Sequence, residues 1–133
     1  MQRRQFLQLT AMGGTVILVT GISCSQQHPV SYDILGKPVA LAQICDLKTL
    51  KEIGMAYRGQ TASETDADKL SALLLTDSIG NPVSSASDQS FIQTLLRKKI
   101  DRDFETGDIV IVKGWILSVT EARQCALLFI NNP

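Results

Sequence analysis

The last quarter of the chain constrains the fold most strongly, because it joins a β-branched run to a helix with almost no polar face. Residues 109–117 form the run, which predicts an extended strand. Ser118 and Glu121 then make a capping box that begins a helix over residues 119–130. A helix that is apolar nearly all round can rarely bury its own surface at the end of a small domain. We therefore expect another protein to complete part of this surface.

The backbone of the predicted strand also needs hydrogen-bond partners. It is the only convincing strand that the sequence predicts, yet its backbone donors and acceptors must be paired somewhere. Two interpretations stay open at this point. A partner protein receives the strand at the edge of its own sheet, or the segment is irregular and packs inside a helical domain.

Helical periodicity accounts for most of the remaining sequence. It predicts helices over residues 39–44, 46–58, 63–76 and from Ser87 or Asp88 to about Phe104. Asp46 is expected to cap the second helix, which Gly59 ends, and residues 63–66 resemble a capping box for the third. The predicted fold class is therefore mainly α, a small irregular helical domain over residues 38–133 with one extended segment near the C-terminus.

The N-terminus resembles a twin-arginine export signal. Arg3 and Arg4 precede Phe6 and Leu7, and an uncharged stretch over residues 9–23 follows. That stretch is shorter than the roughly 20 apolar residues that span a membrane, so it predicts a leader core rather than an anchor. Residues 1–24 are thus interpreted as an export signal, with an ordinary secretory leader as the alternative. The expected location is the periplasm or the extracytoplasmic face of the membrane.

Cys24 is the last residue of the predicted leader, and two fates are possible for it. It is either the acylated cysteine of a lipoprotein or is removed with the leader. Membrane association is expected, if at all, through the leader or that lipid. Residues 25–37 carry no helical or strand period and are predicted to be a tether.

Charge and composition exclude several classes of function. Arg3 and Arg4 are two of the 13 basic residues and the leader holds none of the 13 acidic ones, so the mature chain has 11 basic residues against 13 acidic. Nucleic-acid binding would need a concentrated basic face. The basic and acidic run over residues 97–102 is interpreted as a solvated helix face, with docking to an acidic partner surface as the alternative.

Catalytic groups are scarce in the sequence. The single histidine, His28, lies in the predicted tether, so no Ser-His-Asp or Cys-His pair can form in the domain. Cys45 and Cys125 have no neighbouring histidine and no metal-ligand spacing, and they are either a disulfide or two separate thiols. We predict no catalytic, cofactor or metal site in this chain.

Two segments resemble one protein family. Residues 114–127, Gly-Trp-Ile-Leu-Ser-Val-Thr-Glu-Ala-Arg-Gln-Cys-Ala-Leu, resemble the ending of the small subunits of membrane-bound, flavin-dependent sugar and polyol dehydrogenases, the sorbitol and fructose dehydrogenase small-subunit family. Residues 53–57, Ile-Gly-Met-Ala-Tyr, are similar to another segment of that family. The chain departs from the family's acidic and proline residues at positions 60–64.

The resemblance implies a non-catalytic accessory subunit. Such a chain would bind, stabilise and help export a catalytic subunit that carries FAD and lacks its own leader, and it would itself engage the twin-arginine export machinery. The alternative is a free-standing periplasmic lipoprotein or small binding domain. Candidate partner-interface residues are Tyr57, Trp115, Leu117, Glu121, Arg123 and Phe129. Trp115 is either a partner anchor or a core residue, and Arg123 either forms an interface ion pair or is solvated.

Overall fold

A computed structural model describes residues 34–133 of the chain, and helices dominate this part. The helices are α1 (Val39–Ala42), α2 (Leu47–Gln60), α3 (Ala67–Leu74), α4 (Gln89–Thr106) and α5 (Val119–Asn131), and the strands are β1 (Ile109–Val112) and β2 (Trp115–Ser118). The mainly α prediction is confirmed. The export-signal residues Arg3, Arg4, Phe6 and Leu7, the candidate lipidation site Cys24 and the tether up to residue 33 lie outside the described residues.

Helix α5 is the centre of the domain. Helices α2, α3 and α4 and both strands pack against it. It buries Thr120, Glu121, Ala122, Gln124, Cys125, Ala126 and Leu127. The chain therefore covers most of its own apolar helix, so the apolar character of this helix by itself does not imply a partner. The cover comes from elements up to about 80 residues away in sequence, which the periodicity of α5 alone does not reveal.

Helices α2 and α5 approach each other most closely at Gly54. A Cβ atom added to Gly54 would lie 2.0 Å from the carbonyl oxygen of Cys125 and 2.9 Å from the backbone nitrogen of Ala126. Only a residue without a side chain lets the two backbones meet in this way. The two segments that carry the family resemblance, residues 53–57 and 114–127, thus pack against each other at this crossing.

The predicted single strand is a β-hairpin. Strands β1 and β2 pair antiparallel, with Val112 opposite Trp115 on either side of a two-residue turn. Lys113 and Gly114 form that turn with φ values of 52° and 86°, the left-handed conformation that two-residue hairpin turns of type I′ require at both positions. Each strand is therefore paired along one edge within the chain, which neither of the two interpretations from the sequence had foreseen, and the strand by itself no longer implies a partner.

Helix caps agree with the sequence at two of the predicted positions. Asp46 accepts a hydrogen bond from the Thr49 backbone at 2.8 Å, and the capping box of Ser118 and Glu121 is complete, with bonds of 3.0 and 3.1 Å. The predicted box over residues 63–66 is wrong, because Asp66 itself caps α3 by accepting from the backbone of Lys69 at 3.2 Å. Helix α2 also continues through Gly59 to Gln60.

Residues 34–37 belong to the folded domain rather than to the tether predicted to extend to residue 37. Ile34 and Leu35 are buried in the core, and the carbonyl of Lys37 accepts a hydrogen bond from the Gln124 side chain at 3.3 Å. The apolar pair Ile34-Leu35 has no helical period that would mark it as a core element from sequence. Its burial follows from tertiary packing alone.

Lys99 of α4 holds the C-terminal end of α3. Its Nζ donates to the carbonyl oxygens of Leu73 at 2.6 Å, Thr76 at 2.7 Å and Leu74 at 3.3 Å. The last carbonyls of a helix have no partner within it, so an ammonium from a neighbouring helix satisfies them. Burial lowers the pKa of Lys99 to about 8.

Candidate functional site

The six candidate interface residues fall into two groups. Tyr57, Leu117 and Glu121 are buried by their own chain, and the Glu121 carboxylate is committed to the capping box of α5. These three offer little surface to a partner. Trp115, Arg123 and Phe129 are half-buried, and Trp115 packs its inner side against the core. The Trp115 ring is therefore neither a fully buried core residue nor a fully exposed anchor.

A polar cluster joins α5 to the connection between α2 and α3. Arg123 of α5 donates from Nε and Nη2 to the two carboxylate oxygens of Glu64, at 2.8 and 3.0 Å. Tyr57 of α2 donates its hydroxyl to the same carboxylate at 2.9 Å. We call Tyr57, Glu64 and Arg123 the Glu64 cluster. Arg123 thus forms an ion pair, but within its own chain.

The electrostatics of the Glu64 cluster follow from these hydrogen bonds and from burial. The Arg123 guanidinium holds the pKa of the Glu64 carboxyl below its usual range, against the opposing effect of burial. Burial raises the pKa of the Tyr57 hydroxyl, and the hydrogen bond to the Glu64 carboxylate raises it further. Both effects favour a charged Glu64 beside a neutral Tyr57, so the cluster is an ion pair with a neutral hydroxyl as its third member.

Arg58 lies beside this cluster and reaches the same connection. Its Nη2 donates to the carbonyl of Thr65 at 3.1 Å, and its guanidinium lies 5.6 Å from the centre of the Phe129 ring. At that distance a guanidinium is attracted to the face of an aromatic ring. Its Nε is buried and has no hydrogen-bond partner among the described residues. Three of the candidate residues, Tyr57, Arg123 and Phe129, therefore converge around one connection.

Glu64 is the member of the Glu64 cluster that the sequence did not single out as a candidate. In the sequence it belongs to the acidic start of α3, where a carboxylate suits the helix dipole. Its main partner, Arg123, is 59 positions away. No local pattern links the two, so only the tertiary structure reveals the pair.

The outer face of the hairpin carries three exposed isoleucines. Ile109, Ile111 and Ile116 are 44%, 64% and 63% exposed, and Ile111 lies directly opposite Ile116. We call these three residues the isoleucine strip. The other face of the hairpin, which includes Val112 and Leu117, is buried in the core. Exposed apolar residues that lie next to one another are candidates for a protein contact site.

The exposed face of α4 carries charges of both signs. Lys98 and Arg102 alternate with Asp101 and Glu105 along a shallow cleft that the helix shares with Asp77. A mixed surface of this kind has no strong attraction for an acidic partner. The interpretation as a solvated helix face is therefore the simpler account of the charge run.

The two cysteines of the domain are free thiols. Cys125 is fully buried at the crossing of α2 and α5, and burial is the main cause that raises its pKa to about 12. A thiol with so high a pKa forms almost no thiolate, which is the reactive form. Across residues 34–133 no group of three His, Cys, Asp or Glu side chains is placed to hold a metal ion.

Comparisons with known proteins identify no family. The chain matches no protein-family model, and no curated protein and no solved structure is significantly similar to it. In the part of the chain that the structure describes, none of the helices has both the length and the apolar character that crossing a membrane requires.

Proposed function

We propose that this chain is a non-catalytic accessory subunit that binds, stabilises and helps export the catalytic subunit of a flavin-dependent sugar or alcohol dehydrogenase. The resemblance of residues 53–57 and 114–127 to the small subunits of such enzymes motivates the proposal. The isoleucine strip is the structural observation that carries it. The domain covers most of its own apolar helix α5 yet leaves Ile111 and Ile116 more than half exposed on the hairpin.

The Glu64 cluster supports a binding role over a catalytic one. A general base needs a free lone pair near its operating pH, and a nucleophile needs such a base within hydrogen-bond reach. In this cluster the Glu64 carboxylate accepts three hydrogen bonds from Arg123 and Tyr57. Its acidic and basic groups are therefore committed to one another and hold the connection between α2 and α3.

The partner supplies the chemistry in this proposal. FAD belongs to the catalytic subunit, and this chain supplies a docking surface and an export signal at Arg3 and Arg4. Because the twin-arginine route carries folded proteins, a partner bound through the isoleucine strip would cross the membrane with this chain. The complex would then lie in the periplasm or at the extracytoplasmic face of the membrane.

A second candidate function is a free-standing periplasmic lipoprotein or small binding domain. The burial of α5 by its own chain favours this alternative, because the domain does not need a partner to cover its most apolar helix. The two candidates differ in whether a large flavoprotein is permanently bound. They can therefore be separated by isolating the native protein.

Isolation of the native complex tests the proposal. The full-length chain, with an affinity tag after Pro133, is expressed in the organism that encodes it and is purified from the extracytoplasmic fraction under mild conditions. We expect a large oxidoreductase to co-purify with the flavin absorbance of its cofactor. Recovery of this chain without any flavin and without any large oxidoreductase would contradict the accessory-subunit proposal and favour the free-standing protein.

A further inference from the structure

We propose that Arg123 and Tyr57 form a carboxylate-binding site that Glu64 of the same chain occupies. The connection over residues 61–66, which we call the strap, would then be an internal ligand that a carboxylate from outside the chain can displace. This inference concerns the described domain by itself and does not depend on a dehydrogenase partner.

The site has the geometry with which proteins recognise carboxylates. The Nε and Nη2 atoms of Arg123 meet the two oxygens of Glu64 at 2.8 and 3.0 Å, which is the bidentate arrangement of a guanidinium and a carboxylate. The Tyr57 hydroxyl adds a third donor at 2.9 Å. The side chains of Arg123 and Glu64 are only 21% and 13% exposed, so water competes weakly for these bonds.

Glu64 is the side-chain contact that attaches the middle of the strap to α5. Ala62, Ser63 and Thr65 are exposed, so almost no apolar surface of the strap is buried. Other hydrogen bonds hold the two ends: the Thr61 backbone donates to the carbonyl of Tyr57 at 2.9 Å, Arg58 donates to the Thr65 carbonyl at 3.1 Å, and Asp66 caps α3. Loss of the Glu64 contact would therefore free the middle of the strap while its ends stay attached.

The surface under the strap has more donors than the strap satisfies. Arg123 is the guanidinium that binds the Glu64 carboxylate, Lys69 of α3 also acts on that carboxylate, and Arg58 donates to the neighbouring Thr65 carbonyl. The buried Nε of Arg58 has no partner among the described residues. Positive groups of this kind attract anions, and the planar guanidinium fork favours carboxylates.

Glu64 has an advantage over any carboxylate in solution. The strap is only six residues long between Gln60 and Ala67, so its carboxylate stays close to Arg123 at a high effective concentration. An external carboxylate will therefore bind weakly to the wild-type chain. Removal of the internal ligand should make the site accessible.

The test uses Glu64→Ala in the otherwise complete protein. We expect this variant to melt at a lower temperature than the wild type and to exchange the amide hydrogens of residues 61–66 faster, while α2 and α5 stay protected. Sodium acetate should raise its melting temperature more than that of the wild type at equal ionic strength in chloride. N-acetylglutamate amide, which represents a protein side chain, is compared with acetate, which represents a small free acid. The stronger stabiliser identifies the source of the ligand.

A double variant provides the control. Arg123→Met combined with Glu64→Ala should melt at the same temperature in acetate as in chloride, because the bidentate donor is gone. An acetate effect equal in the wild type, the single variant and the double variant would overturn the inference. If Glu64→Ala does not fold, Glu64→Gln keeps one oxygen acceptor, and unchanged amide exchange of residues 61–66 in that variant would equally overturn it.

Discussion

Gly54 has no side chain, and this allows helices α2 and α5 to pack closely. It lies in the middle of α2, where a glycine is normally unfavourable by about 1 kcal/mol relative to alanine. Its place is explained by the backbone of α5, which occupies the position where a Cβ would lie. Helix propensity is thus overridden by the packing of two helices, and the same crossing brings Cys125 into the core.

The first prediction follows from that close approach. Gly54→Ala should destabilise the domain by about 3 kcal/mol, the upper part of the usual range for overpacking, because the neighbouring atom is the backbone carbonyl oxygen of Cys125, which cannot rotate away. The matched control is Gly59→Ala on the same helix, where a Cβ meets nothing within 4 Å. It should stabilise the domain by about 0.5 to 1 kcal/mol. Urea unfolding measures both, and equal effects at the two glycines would contradict the close approach.

The Glu64 cluster makes the second prediction at this scale. The pKa of Glu64 is lower in the folded chain than in the unfolded chain, chiefly because Arg123 donates to its charged form. The resulting stability is fully present above the unfolded pKa of about 4.3 and is lost as the pH falls through the folded pKa. Urea unfolding of the wild type should therefore show a steeper loss of stability below about pH 4.3 than that of Glu64→Gln.

Glu105→Gln serves as the control for this pH dependence. Glu105 is exposed on α4 and forms no ion pair within the described residues, so its removal should leave the wild-type curve nearly unchanged. An identical acid response of the wild type and Glu64→Gln would contradict the role of the Arg123 pair. The sequence identified Arg123 as a candidate but not its pairing with Glu64, because the contact joins residues that no local pattern connects.

At the level of elements, the hairpin is the clearest departure from the sequence prediction. The sequence predicts its two strands as one because the apolar residues of β2 continue the β-branched run of β1 and only Lys113 and Gly114 separate them. Two residues ending in glycine between two such runs are the signal that could have revealed the turn. The helices were predicted within a few residues of their observed bounds, because their apolar period is set locally. Their packing partners were not predictable, because those contacts are long-range.

The turn supplies a third prediction. Lys113 adopts a left-handed conformation that is unfavourable for a residue with a long side chain, whereas asparagine tolerates it. Lys113→Asn should therefore stabilise the domain by roughly 0.5 to 1 kcal/mol. Gly114→Ala should destabilise it by about 1 kcal/mol, because φ at this position is 86°. Thermal unfolding distinguishes the two, and a loss of stability in Lys113→Asn would contradict the assigned turn.

For the whole molecule, the surface that suggests a partner is the isoleucine strip rather than helix α5. The apolar helix and the strand, which suggested a partner in the sequence, make their contacts within the chain. Helices α2, α3 and α4 and both strands pack against α5, and β1 pairs with β2. The isoleucine strip is the apolar surface that the hairpin leaves open, and it could not be assigned before the two strands were known to pair. The proposal of an accessory subunit now depends on this strip and on the family resemblance.

The fourth prediction concerns export of the whole chain. Replacement of Arg3 and Arg4 by lysine should cause the protein to accumulate in the cytoplasm, because the twin-arginine route recognises that pair together with Phe6 and Leu7. Cell fractionation measures the location. Replacement of Arg97 and Arg102 by lysine on the exposed face of α4 is the matched control and should leave export unchanged. Normal export of the leader variant would instead favour an ordinary secretory route.

The isoleucine strip also limits how much of this chain a cell can accumulate. Exposed apolar side chains on a hairpin with unpaired strand edges promote self-association of the chain, which increases with its concentration. If the proposed partner covers Ile111 and Ile116, chain produced in excess of that partner would be lost to aggregation or degradation. The proposed complex would then require balanced synthesis of its two subunits.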